Sequence, residues 1–195
     1  MHYLVITSVN RDDLIDGGAK QFRDCIWEVR RQCPDIKFEI LTPDFKESQE
    51  EAIAILAEAQ PFVFAHNVET VPGLYKKARQ GGDYQRSLNL LKIAKEAFGD
   101  VPTKSSIMLG LGESDEEVEQ VLRDLRVVGC ERLTIGQYLK PSKDSLEVVE
   151  YIRPEKFDWW KQRAIDLGFN WVISEPFARS SYLAHTRTGT DVNTD

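Results

Sequence analysis

Phe62-Val63-Phe64-Ala65-His66-Asn67-Val68-Glu69-Thr70-Val71 changes character in its middle. An apolar strand gives way to histidine, asparagine, glutamate and threonine, and a helix-like segment follows. Polar and ionisable side chains thus gather where a strand ends, the edge at which proteins built on parallel strands bind ligands. Thr7-Ser8-Val9-Asn10-Arg11-Asp12-Asp13 and Leu109-Gly110-Leu111-Gly112-Glu113 have the same character. These strand ends are expected to form one site.

Working outward, apolar runs rich in β-branched residues cover 3–9, 37–42, 62–69, 105–112, 132–139 and 171–177. Helical patterns separate them. Phe22, Cys25, Ile26, Val29 and Cys33 share helical spacing, which predicts a core face that includes both cysteines. Ala52, Ile53, Leu56 and Ala59 mark a second helix, and Leu90, Ile93, Ala94, Ala97 and Phe98 a third after Gly81-Gly82. Ser114 and Glu117 have the spacing of a capping box for a fourth helix that stops at Gly129. Pro154 opens a fifth, ending at Gly168.

Alternating strands and helices imply parallel strands. Polar residues stand at nearly every strand end, not at one switch point, which favours a barrel or open half-barrel. The expected fold class is α/β: a partial (β/α) barrel of parallel strands. One domain over 1–195 is expected, with a C-terminal extension from about residue 142.

With 195 residues, 42% apolar and 29% charged, the chain can bury one sizeable core. A net charge of −7 argues against nucleic acid or anionic membrane as partners. No window reaches the roughly 18 apolar residues of a membrane span. The start carries no secretory or transit pattern, so a cytoplasmic protein is expected. Cys25, Cys33 and Cys130 are too scattered for a disulfide framework or a metal knuckle. Met1 runs almost directly into Tyr3-Leu4-Val5-Ile6-Thr7, and domains seldom open on a central strand, so an upstream part is expected.

Each motif also has a plainer reading. Gly110-Leu111-Gly112-Glu113 fails as a dinucleotide loop, because G-x-G-x-x-G would need glycine where Asp115 stands. The two glycines either admit a flat ligand to the backbone or ease a strand-to-helix turn. Asp12 and Asp13 either cap the following helix or belong to a polar cluster with Thr7, Ser8, Asn10 and Arg11. Asn67 and Glu69, two apart, would share one face of an extended segment, and a carboxylate beside an amide suits a sugar diol. Lys104 is either an anion contact or a solvated residue at a strand start.

The ordered set of segments resembles the lipoyl synthase family of the radical S-adenosylmethionine superfamily. The segments are Val5–Leu14, Asp16–Ala19, Glu39–Phe45, His66–Val71, Pro102–Ser105, Gly110–Glu113, Thr134–Leu139 and Arg179–Tyr182. The resemblance implies a radical-SAM-like partial barrel and reductive cleavage of S-adenosylmethionine to a 5′-deoxyadenosyl radical. Two sulfur atoms would enter at C6 and C8 of an octanoyl chain carried by a lipoyl domain or a glycine cleavage H protein. It also implies two 4Fe-4S clusters and a reductant such as ferredoxin or flavodoxin.

By position, Asn67 and Glu69 would hold the ribose or methionine part, with Lys104 a further polar contact. Ser106 to Glu113 resembles the adenine-binding strand, including Gly110 and Gly112, although Ser106 stands where glycine is usual. Thr7 and Arg11 would complete the cradle, and Ser180 would ligate the auxiliary cluster.

The family's two cysteine triads lie upstream of the first strand here, and the three cysteines present do not have their spacing. The chain is therefore expected to be the C-terminal portion of a lipoyl synthase, missing the first barrel strand, inactive alone and free of bound iron. An open sheet edge would lower its stability. Translating the DNA upstream of Met1 tests this. The alternatives are a cluster-free protein binding S-adenosylmethionine or a lipoyl domain, and a non-radical barrel lyase or isomerase using Lys104 and Glu69 as acid and base.

Overall fold

The computed structural model describes residues 2–185. All six expected strands are present: β1 (Tyr3–Thr7), β2 (Lys37–Leu41), β3 (Val63–Ala65), β4 (Thr103–Leu109), β5 (Arg132–Gln137) and β6 (Trp171–Ser174). They pair in parallel and in sequence order as one sheet. The sheet does not close, so β1 and β6 are its free edges and the architecture is a partial (β/α) barrel. The helices between them are α1 (Ala19–Gln32), α2 (Gln49–Ala57), α3 (Tyr75–Ala78), α4 (Tyr84–Phe98), α5 (Asp115–Val127) and α6 (Pro154–Asp166). The chain beyond residue 142 supplies α6 and β6 to this same sheet.

Period-2 alternation sorts each strand's residues between two faces. Phe38, Ile40, Phe64, Ile107, Leu133, Ile135 and Val172 pack with the buried faces of α1, α2, α4, α5 and α6 in one continuous apolar core. Their alternates, among them Glu39, Lys104, Ser106, Thr134, Trp171 and Ile173, fall on the opposite, inner face. Over Trp171 and Ile173 lies a second, smaller cluster completed by Ala178 and Leu183. The chain after β6 therefore folds back across the inner face.

Local signals explain where helices begin. Asp83 accepts the Arg86 N–H at the start of α4. Ser114 and Glu117 form the capping box at the start of α5. At α1 the capping carboxylate is Asp16, which accepts from Gly18 N and Lys20 N, and not Asp12 or Asp13. Those two instead pair with Lys46 and Arg11.

The expected core positions of Cys25 and Cys33 are overturned, because both are exposed. The reason is lateral. Arg23 reaches Glu58 at 3.0 Å, and Arg30 donates to the Ala59 and Gln60 carbonyls, so that flank of α1 faces the end of α2. Cys25 lies on the other flank of α1, towards the free edge, and is exposed. Cys33 lies beyond the last helical residue.

Candidate functional site

β3 and β4 carry the centre of the site. β3 ends at Ala65, and the chain then turns through His66, Asn67 and Val68 to Glu69. Glu69 rejoins the sheet: its N–H donates to Ser106 O at 3.0 Å, and its carbonyl accepts from Met108 N at 2.9 Å. Asn67 and Glu69 meet as expected, with Asn67 Nδ2 donating to Glu69 Oε1 at 3.1 Å. They meet through a turn, however, since Glu69 sits at φ 67°, a left-handed conformation and not an extended one. Burial raises the Glu69 carboxyl pKa, while the Asn67 hydrogen bond and the charge of Arg79 pull it down.

Behind this turn lies a saturated network. His66 is buried, with Nδ1 2.9 Å from Thr42 O and Nε2 3.0 Å from Ser87 Oγ. Arg79 donates to Ser87 Oγ, and the Tyr75 hydroxyl donates to Val68 O. Burial pushes the His66 pKa down to about 4, and the Arg79 charge acts in the same direction, so the ring is neutral. His66 holds the turn in place and is not an acid–base group.

Glu113 folds back on its own loop, its carboxylate accepting from Gly110 N at 2.6 Å and Leu111 N at 2.9 Å. Gly110 is glycine because a Cβ there would overlap Gln137 Nε2 and Glu150 O. The segment 149–152 crosses this loop, with Val149 N donating to Gly110 O and Ile152 N to Gln137 Oε1. Gly112, at φ 105°, meets Val149 at ordinary contact distance. Close backbone approach accounts for Gly110, and a left-handed turn for Gly112.

Asn67, Glu69, Ser106, Gly110, Gly112 and Glu113 therefore belong to adjoining ends of β3 and β4. Other candidates stand elsewhere. Thr7 ends the edge strand β1, exposed, and Arg11 is bound to Asp13 and Gln21. Arg11 also lines a cleft of about 1090 Å³ beside Pro43–Glu51 and α4, together with Asn10 and Asp12 of the same polar cluster. Lys104 is buried lower on the inner face, its ammonium 2.8 Å from Glu39 Oε1 and 4.5 Å from the centroid of the Trp171 ring. It also donates to the Ser180 carbonyl. Lys104 and Glu69 take different partners, Glu39 and Asn67.

Glu39 and Thr134 escaped the sequence reading. A charged residue between Phe38 and Ile40 was the available signal for Glu39. Both residues open segments that resemble the family, Glu39–Phe45 and Thr134–Leu139, although neither was among the expected site residues.

The residues fit a hydroxyl-rich cofactor. Asn67 Oδ1 is buried without a partner beside a carboxylate, and Thr134 Oγ1 on the inner face is also unpartnered. They do not fit an iron–sulfur cluster. Cys25 and Cys33 are exposed at α1, and Cys130 is buried with its thiol pushed up to about 12 by desolvation. Among the described residues no group of three or more His, Cys, Asp or Glu could hold a metal. No described helix is long and apolar enough to cross a membrane.

Comparison with known proteins finds relatives in sequence and a shared fold. Lipoyl synthase of Thioalkalivibrio sulfidiphilus is 55% identical over 94% of this chain and 58% of its own length. Lipoyl synthase of Hahella chejuensis is 54% identical over 94% of this chain and 55% of its own. The chain thus spans a little over half the length of these curated relatives. Among solved structures, methylornithine synthase (PylB) shares the fold with a TM-score of 0.66 at 13% identity, covering 88% of this chain and 49% of that one. SuiB of Streptococcus suis does so at 0.60 and 13% identity, over 84% and 36%. The family model described as the Radical SAM superfamily matches residues 1–125, well over half of the chain, and the chain belongs to that superfamily.

Proposed function

We propose that this chain is the cofactor-cradling portion of a lipoyl synthase. The complete enzyme would insert two sulfur atoms at C6 and C8 of an octanoyl chain borne by a lipoyl domain or glycine cleavage H protein. It would work in the cytoplasm with a ferredoxin- or flavodoxin-type reductant and 4Fe-4S clusters. The observation that carries the reading is the buried, unpartnered Asn67 Oδ1 beside Glu69 at adjoining strand ends.

Bound S-adenosylmethionine, once cleaved by an electron from a reduced cluster elsewhere in the complete enzyme, would supply hydrogen abstraction at unactivated carbon. The chain's own residues bind and orient it. Asn67 gives its N–H to Glu69, which leaves its carbonyl oxygen to accept from a ribose hydroxyl. Glu69, its pKa raised by burial, can take the second hydroxyl or the cofactor's ammonium. Neutral His66, with Tyr75 and Ser87, fixes the turn bearing both. Ser106 and the loop held by Glu113 flank the position of the base. Lys104, Thr7 and Arg11 would act at longer range, and Ser180 would be the auxiliary-cluster ligand.

The placement of the three thiols, two exposed on or just beyond α1 and one buried against the Thr103 carbonyl, favours a second reading, a cluster-free binding protein. Titration calorimetry with S-adenosylmethionine and with an octanoylated lipoyl domain tests both. Cofactor binding that weakens at least about tenfold in Asn67→Ala, the cost of about one hydrogen bond to a polar ligand, supports the cradle. Absence of binding to either ligand defeats both readings. Iron retained after anaerobic reconstitution defeats the second.

A further inference from the structure

We propose that Lys104 is a latch that fastens the segment Pro176–Leu183 across the inner face of the barrel, with Gly136 cut to admit it. This rests on the fold and holds whether or not the cradle binds S-adenosylmethionine.

The ammonium has three N–H donors and meets three acceptors. One is Glu39 Oε1 at 2.8 Å, one is the Ser180 carbonyl, and the third is the face of Trp171 at 4.5 Å. The other Glu39 oxygen accepts the Tyr3 hydroxyl at 2.8 Å. A line of polar contacts thus runs from edge strand β1, through β2 and β4, to the backbone of the segment after β6. Glu39 and Lys104 are almost completely buried, so the charge is held for a purpose inside the fold. The partner that lies outside the sheet is Ser180.

The seat around this contact is shaped independently. A Cβ at position 136 would overlap the Ala178 carbonyl oxygen, so only glycine lets the segment lie against β5. Gln137 N donates to Pro176 O at 3.0 Å, fixing where the segment enters. Ala178 and Leu183 pack on Trp171 and Ile173. At the start of the segment Ala178 N donates to Glu175 O, and within it Tyr182 N donates to Arg179 O, which folds it into turns around the Lys104 contact. Release of the latch would uncover the inner face around Thr134, whose buried hydroxyl has no partner.

Peptide-resolved hydrogen exchange on the chain tests this with Lys104→Met, Gly136→Ala and the double variant Glu39→Gln/Lys104→Met. Lys104→Met removes the latch. Gly136→Ala lifts the segment by bulk with every charge in place. The double variant keeps the test open if the single lysine variant does not fold, since it leaves no uncompensated buried charge. The expected result is exchange at least tenfold faster over residues 178–184 in the variants that fold, with α4 and β4 as protected as in the parent. Unchanged protection of 178–184 in Gly136→Ala and in a lysine variant overturns the proposal. So does equal loosening of 178–184 and β4 in both, because Lys104 would then be only part of the general core.

Discussion

His66 and Lys104 are neighbours across β3 and β4, joined by the His66 N–H to the Lys104 carbonyl at 3.0 Å, and each side chain is 1% exposed. The fold treats them in opposite ways. Behind the sheet, His66 is neutral, with both ring nitrogens engaged by Thr42, Ser87 and Arg79. In front, Lys104 shares a hydrogen-bonded pair with Glu39. Desolvation presses the Lys104 pKa down and the Glu39 charge holds it up. At His66 the helix-covered face thus answers polar burial by neutrality and full hydrogen bonding. The inner face keeps full charges and orphaned polar atoms, as a surface that meets polar partners would.

The largest expected effect breaks the charged side of this comparison. Lys104→Met leaves Glu39 buried and unpaired and should cost about 3–5 kcal/mol in urea unfolding. The double variant with Glu39→Gln should lose far less. Equal losses in both would mean that the pair is not an electrostatic unit.

The neutral side is tested by acid. The folded His66 pKa of about 4 lies below its ordinary value, so the unfolded chain binds the extra proton first as pH falls. Stability is then lost from about pH 6.5 down to 4, by about 3 kcal/mol at the lower end. Glu69, with its pKa raised, works in the opposite sense, its contribution being lost as pH rises. His66→Gln isolates the histidine part: the slope between pH 6.5 and 4 should flatten in the variant. A parallel slope would rule out a neutral His66.

Away from both faces, the effects should be smaller. Ser114→Ala removes the α5 capping box and should lower stability by about 1 kcal/mol in the same denaturation assay. Cys25→Ser, on the exposed flank of α1, should stay within about 0.5 kcal/mol of the parent. A larger loss would mean that something covers that flank.

Much of this was legible in sequence, because strand periodicity and strand-end polarity are local properties. All six strands and the α5 capping box follow from residue order, whereas Asn67 and Glu69 come together through a turn and not through the extended segment their spacing suggested. What escaped depends on lateral neighbours. Helical spacing says that Phe22, Cys25 and Ile26 lie near one face, but not that the flank of Cys25 faces an open edge. It says nothing of which charge meets which, so Lys104 read as a solvent or cofactor contact until Glu39 was placed beside it, 65 residues away in sequence. Glycines gave the same difficulty. Gly110 is explained by a segment that arrives about 40 residues later, at Val149 and Glu150.

The clasp that Glu113 makes on Gly110 N and Leu111 N has a kinetic meaning. A loop already folded around its own carboxylate has little conformational freedom left to surrender when a ligand arrives. Association at this rim is then governed by diffusion and fit rather than by waiting for the loop to order. Glu113→Gln would move that cost into the binding event, so it should slow capture more than it hastens release.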